Sequence, residues 1–327
     1  MNSSSKLAAT LGLLLALGAG ETAGQTAIRP GSRSLMDAHN CYPYGEWWTD
    51  RIDRALAAGL PLAIEQDLYW DPVRSRSVLA HQSPLTGEEP GMETYFFERI
   101  RPLVEAALKN PDHSQWPIVT LNLDFKTEQP EQLHSVWNLL TKYRAWLTAS
   151  LKGSDPGRVE PLKVGPVLVL TGESDAQQKV FYDDLASGEH LLAFGAVHTH
   201  NADRKAAPAV IAPQPASNYR RWWNSPWFIV EAEGQERAGQ WTHDAAERLH
   251  GIVRHAHANG LWMRFYTLDG ATQQERSTNG WFRTYNFLSM DAVRERWREM
   301  VKAGVDYIAT DQYGELAAML REPGSGR

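Results

Sequence analysis

The chain has 327 residues, with 33 Lys and Arg against 39 Asp and Glu, a formal net charge of −6. With no clustered Lys/Arg run, that balance argues against a nucleic-acid partner and against simple electrostatic attachment to anionic membranes. A single cysteine, Cys41, excludes an internal disulfide framework and a Cys-ligated zinc site.

Residues 1–24 carry Lys6, then the apolar run LAATLGLLLALGAG and a small-residue exit. The pattern predicts a secretory signal peptide cut after Gly24, hence a secreted or periplasmic protein with residues 25–327 as one domain. The apolar run is shorter than the ~20 residues of a membrane span. No cysteine follows it, so a lipid anchor is not expected.

From residue 34 onward, short β-rich runs alternate with segments of helical period. The predicted strands are 34–39, 62–68, 117–124, 166–171, 191–197, 227–231, 261–267 and 306–310. The predicted helices are 47–58, 92–109, 131–151, 175–186, 243–259 and 291–303. Gly59, Gly260 and Gly304 each end a helix before a strand, where a left-handed cap is wanted. Eight strands with intervening helices predict an α/β fold, a single (β/α)8 TIM barrel. An open doubly wound sheet is the weaker alternative, because the first strand-to-helix turn, residues 39–43, lacks a Gly-rich phosphate cradle. Segment 198–226 reads as an excursion between strands five and six, and 270–290 as a lid after strand seven.

Reactive groups of such barrels sit at the C-terminal ends of the strands. There the chain places His39-Asn40, then Glu65 and Asp67, then Asp124 and Lys126. Strand side chains alternate, so residues two apart share a face and point together into the barrel mouth. Three carboxylates and an amide converging in a partly buried pocket need a counter-charge or a metal, and oxygen donors favour Mg2+ or Ca2+. His81, on the loop after strand two, is placed to face the same cleft. Two histidines flanking a metal-bound anion suit acid-base cleavage of a phosphodiester, with Lys126 holding developing charge. Each short pattern alone is unspecific; four of them in order at three successive strand ends are not.

The segments His39-Asn40, ALAAGLPLAIEQDLYW, LAHQSP and PIVTLNLDFK together resemble the superfamily of phosphatidylinositol-specific phospholipase C, glycerophosphodiester phosphodiesterase and sphingomyelinase D, which are TIM barrels. AGVDYIATDQYGEL and FYTLD resemble the last strands of its glycerophosphodiester branch. The resemblance implies that His39 and His81 are the acid-base pair, that Glu65, Asp67 and Asp124 are metal ligands, and that Lys126 contacts phosphate. His39-Asn40 in place of His-Arg-Gly is similar to eukaryotic-type phospholipase C, which implies Asn40 as a further metal ligand. Asp-x-Lys at 124–126 resembles the sphingomyelinase D branch. The implied enzyme is a secreted, metal-dependent phosphoric diester hydrolase acting on a phospholipid or glycerophosphodiester, with the headgroup open.

Two other readings stand beside it. A glycoside hydrolase barrel would use a carboxylate pair and Trp platforms, with Glu231 at the end of strand six as a candidate. Otherwise Glu231 reads as a partner of Arg264 or Lys126. A non-catalytic lipid-binding relative would have no need of the histidine pair. His198 and His200 read as loop histidines, and His250, His255 and His257 do not share one helical face. Of 13 Trp, Trp116, Trp137, Trp146, Trp262 and Trp297 read as packing residues, and Trp222, Trp223 and Trp227 are ambiguous. Trp47, Trp48, Trp70 and Trp281 fall on the catalytic side, as a substrate wall or a peripheral membrane contact.

Overall fold

A computed structural model describes residues 28–44, 47–232, 239–279 and 286–322. The predicted signal peptide, Trp281 and part of the 270–290 segment lie outside them. Eight parallel strands form the barrel: β1 Leu35–Ala38, β2 Leu62–Asp71, β3 Val119–Phe125, β4 Val167–Thr171, β5 Phe194–Ala196, β6 Arg220–Pro226, β7 Trp262–Tyr266 and β8 Tyr307–Thr310. Each pairs with its neighbour in chain order, and β1 pairs with both β8 and β2, which closes the sheet. The closing seam is short on one side, with only Asp37 opposite Ala63 and Ala38 opposite Ile64.

The helices are α1 Arg51–Ala57, α2 Glu98–Lys109, α3 Pro130–Lys142, α4 Asp175–Gln178, α5 His243–Ala258, α6 Met290–Ala303 and α7 Tyr313–Leu320; two further short helices, Pro208–Ile211 and Gln273–Asn279, lie in the connections after β5 and β7. Three of them begin on hydroxyl caps: Ser174 accepts from the Ala176 N–H, Thr242 from the Ala245 N–H and Ser289 from the Ala292 N–H. Gly304 closes α6 at φ +85° and Gly260 follows α5 at φ +72°, the left-handed geometry expected of those glycines.

Three expectations are corrected. Strand six is 220–226 rather than 227–231, and Trp227–Ile229 is a 3-10 turn beyond it. The apolar WFIVE run looked like a strand, but the true strand opens on Arg220 and Arg221, whose charges hid it. Both guanidiniums turn to backbone carbonyls at its start, Arg220 to Glu173 O at 2.9 Å and Arg221 to Glu160 O at 2.8 Å. The helix drawn over 131–151 stops at Lys142, and Ala149–Leu151 instead joins Leu162–Lys163 and His190–Leu191 in a small antiparallel sheet. The helix drawn over 47–58 starts at Arg51.

The core fills the barrel and the layer under the helices. Trp222, Trp223, Trp227 and Trp297 are wholly buried in it, so the ambiguous trio are packing residues. Truncating any of them to Ala would cost about 3–5 kcal/mol. Trp48 is buried too, against Tyr42, Tyr44 and the Arg51 guanidinium, which corrects its reading as a membrane-facing ring.

Candidate active site

Strand register builds the site. In the parallel pairing of β2 with β3, Glu65 lies opposite Asn122 and Asp67 opposite Asp124. Glu65 is fixed from two sides: Asn122 Nδ2 donates to Oε2 at 3.2 Å, and Arg264 from β7 donates to the same oxygen. Arg264 also bonds Asp37 on β1 and Asn224 Oδ1 on β6, at 3.0 Å. One buried guanidinium thus ties four strands together below the mouth. Burial alone would raise the Glu65 pKa, but His39, Arg264 and Lys126 pull it down to about 2.

Glu65, Asp67 and Asp124 can bring one oxygen each within 4.8 Å of one another. Lys126 Nζ lies 2.6 Å from Asp124 and 3.2 Å from Asp67. Asp67 is wholly buried, and beyond that ion pair neither of its oxygens accepts a hydrogen bond among the described residues. Burial and the charge of Asp124 push its pKa well up. A buried carboxylate so poorly compensated, beside two more, is a site shaped for a cation, and a set of oxygen donors fits Mg2+ or Ca2+.

His39, at the end of β1, is held by the end of β8. Its Nδ1 lies 3.1 Å from Asp311 Oδ1, and its Nε2 lies 3.6 Å from Glu65 Oε1. Burial would lower its pKa, yet Glu65 and Asp311 raise it to about 9. Arg51, the first residue of α1, balances Asp311 at 3.2 Å and donates to the backbone carbonyl of His39 at 3.0 Å. His81 follows a short strand, Arg76–Leu79, that pairs antiparallel with the end of β2, and the Ala80 N–H bonds Asp67 O at 3.1 Å. His81 is half-buried, and burial together with the charge of Lys126 lowers its pKa. The two rings therefore differ in proton affinity, one raised and one lowered. A cleft of about 370 Å³ beside His81 is walled by Tyr44, Trp47 and Pro84.

The structure brings His39, Glu65, Asp67, Asp124 and Lys126 together at the mouth, with His81 close enough to feel their charges. It places Asn40 differently from the expected ligand role. Asn40 takes φ +51°, its Oδ1 accepts from the Tyr42 hydroxyl at 2.9 Å, and its Nδ2 donates to Asp311 at 3.0 Å. Its amide serves the His39–Asp311 pair rather than the acidic group. Glu231 belongs to neither site nor Arg264: Arg296 Nη2 lies 2.7 Å from it and Trp227 Nε1 2.6 Å. His198 pairs with Asp175 at 3.0 Å on the surface, as befits a loop histidine.

The residues missed in the sequence are Asp311, Arg51, Arg264 and Asp37. Asp311 stood in the quoted ATDQYG segment at a strand end, which was a usable signal. Arg51 carried none, since an arginine at a helix start reads as a surface residue, and Arg264 entered only as a possible partner of Glu231.

No protein-family model matches the chain, and no curated protein matches it. Among solved structures, a glycerophosphoryl diester phosphodiesterase from Parabacteroides distasonis ATCC 8503 is 14% identical with a TM-score of 0.45, the match covering 92% of this chain and 91% of that one. A glycerophosphodiester phosphodiesterase from Agrobacterium tumefaciens str. C58 is 13% identical with a TM-score of 0.43, covering 88% and 100%. A broad-specificity endoglucanase from Clostridium acetobutylicum is 12% identical with a TM-score of 0.38, covering 79% and 78%. The barrel itself is set by the strand pairing of this chain.

Proposed function

We propose that the chain is a divalent-metal-dependent phosphoric diester hydrolase with His39 and His81 as its acid-base pair. The observation that carries this reading is the buried Asp67 carboxylate, which accepts no hydrogen bond among the described residues beyond its Lys126 ion pair and is grouped with Glu65 and Asp124, with His39 beside Glu65 and His81 within electrostatic reach. Glu65, Asp67 and Asp124 would hold the cation. When bound, it supplies Lewis-acid stabilisation of a phosphoryl oxygen. Lys126 offers its ammonium to the same anion, and its own carboxylate partners keep it charged by raising its pKa against the effect of burial. Asp311 and Arg51 fix the His39 ring, so that a proton can be held or released at Nε2, the atom facing Glu65.

The aromatic and proline walls beside His81 suit a substrate with apolar substance near the scissile bond, as a phospholipid has, and a glycerophosphodiester is the other candidate. Trp47, 45% exposed at that cleft, would supply the peripheral membrane contact, with half-buried Trp70 as a second candidate ring.

The test is turnover of bis(p-nitrophenyl) phosphate with Mg2+ or Ca2+. Chelation and His81→Ala should each lower the rate at least ~100-fold, the usual worth of a positioned proton donor or acceptor. Equal rates for wild type and His81→Ala would sink the reading. The glycoside hydrolase alternative loses its candidate carboxylate, because Glu231 is occupied by Arg296 and Trp227.

A further inference from the structure

We propose that a cleft at the other end of the barrel binds a single-chain amphiphile with a compact anionic head. The cleft holds about 800 Å³, within the ~300–1,000 Å³ typical of small-molecule sites. It is lined by residues that immediately precede β3, β4 and β5, by the C-terminal turn of α3 and by the small antiparallel sheet. The catalytic groups sit at the C-terminal ends of the strands, so the whole length of the strands separates the two places.

The lining has two characters. Trp137, Leu147, Leu185 and Leu192 supply apolar wall, with Trp137 and Leu185 only half-buried. On the rim stand Arg144, Lys163 and His190, all exposed, from three different parts of the chain. None of the three side chains makes an ion pair or hydrogen bond among the described residues. The carboxylate of Glu189, also on the lining, is turned to its own loop, where it accepts from the Ala186 N–H. In a chain with a net charge of −6, Arg144 and Lys163, neither paired with a carboxylate among the described residues, stand beside an apolar cleft and are complementary to one kind of ligand. An alkyl chain would cover the Trp and Leu surface, and a carboxylate or phosphate head would take the rim. A neutral apolar ligand would leave the cations unanswered, and a small free anion would leave the apolar wall wet.

The experiment is calorimetric titration of the full chain with dodecanoate, dodecyl phosphate and dodecanol. Saturable binding is expected for the anions, at least tenfold tighter than for dodecanol, and the tighter anion names the head. The double substitution Arg144→Glu and Lys163→Glu should weaken the anions at least tenfold. Leu185→Trp, which fills the cleft, should abolish binding, with circular dichroism checking that it folds. Turnover of bis(p-nitrophenyl) phosphate should be unchanged in the charge-reversed variant. Absence of saturable binding, dodecanol binding as tightly as the anions, or no response to charge reversal would overturn the proposal. So would a parallel loss of turnover, which would place the ligand at the catalytic mouth. The binding measurements stand whether or not the chain hydrolyses phosphodiesters.

Discussion

Asp311 shows how much of the site depends on one carboxylate. It meets His39, Asn40 and Arg51, and although burial would raise its pKa, Arg51 and His39 hold it well below the usual carboxylate range. Catalysis needs one histidine protonated and the other neutral. His81, lowered below its ordinary value of 6.5 by burial and by Lys126, loses its proton before His39 as pH rises. His39, raised to about 9, loses its proton only as pH passes that value. The rate should therefore rise on the acidic side, level, and fall towards pH 9; a flat profile would contradict the pair. Asp311→Asn removes the charge that supports His39, so the alkaline limb should move to lower pH and the rate should drop ~100-fold or more. A mere loss of stability would lower the rate without moving that limb. At this scale the sequence was informative where chemistry lay two residues apart on one strand, as in Glu65 with Asp67 and Asp124 with Lys126. It was silent where a role depends on a partner far along the chain, as for Arg264, which meets Glu65 across the barrel.

Among the elements, β6 teaches the most. Its strand is opened by two arginines and closed by Pro226, and the more strand-like apolar run after it is a 3-10 turn. A strand over 227–231 would bring Glu231 to the mouth, whereas the fold sets it beyond the strand, paired with Arg296 from α6. That guanidinium is almost wholly buried, so removing Glu231 takes its closer carboxylate and leaves only the half-exposed Glu295, at 3.4 Å, to answer it. Glu231→Ala should lower the unfolding free energy by about 3–5 kcal/mol, while the folded enzyme keeps its phosphodiesterase rate. Denaturant unfolding and turnover on the same sample check this. A lost rate with unchanged stability would instead give Glu231 a part in the chemistry. The eight-strand count and the alternation of strands and helices were legible because periodicity survives in the other elements. The boundaries near charged or proline-rich stretches were not, since backbone-directed arginines leave no periodic trace.

Taken as a whole, the molecule spends its tryptophans mainly on packing, and Trp47 is the exposed ring at the catalytic mouth among the described residues. No helix among those residues is long and apolar enough to cross a membrane. If the substrate is met in a lipid surface, contact falls to Trp47, because a net charge of −6 gives no attraction to anionic lipid. Trp47→Ala should weaken sedimentation with phospholipid vesicles several-fold and leave turnover of a soluble diester intact; unchanged sedimentation would count against that contact.

Arg264 carries a consequence for how such a chain can change over generations. It answers two buried carboxylates, Asp37 and Glu65, on two other strands. Replacing it alone strands the Asp37 carboxylate and takes from Glu65 one of the three cations that hold its charge, and replacing either acid alone strands part of a positive one, each at a cost of about 3–5 kcal/mol against a domain's total of about 5–15. The three positions thus behave as a single inherited character. A descendant that abandons the acidic centre must cross a valley of poorly folding intermediates, unless all three positions are exchanged at nearly the same time.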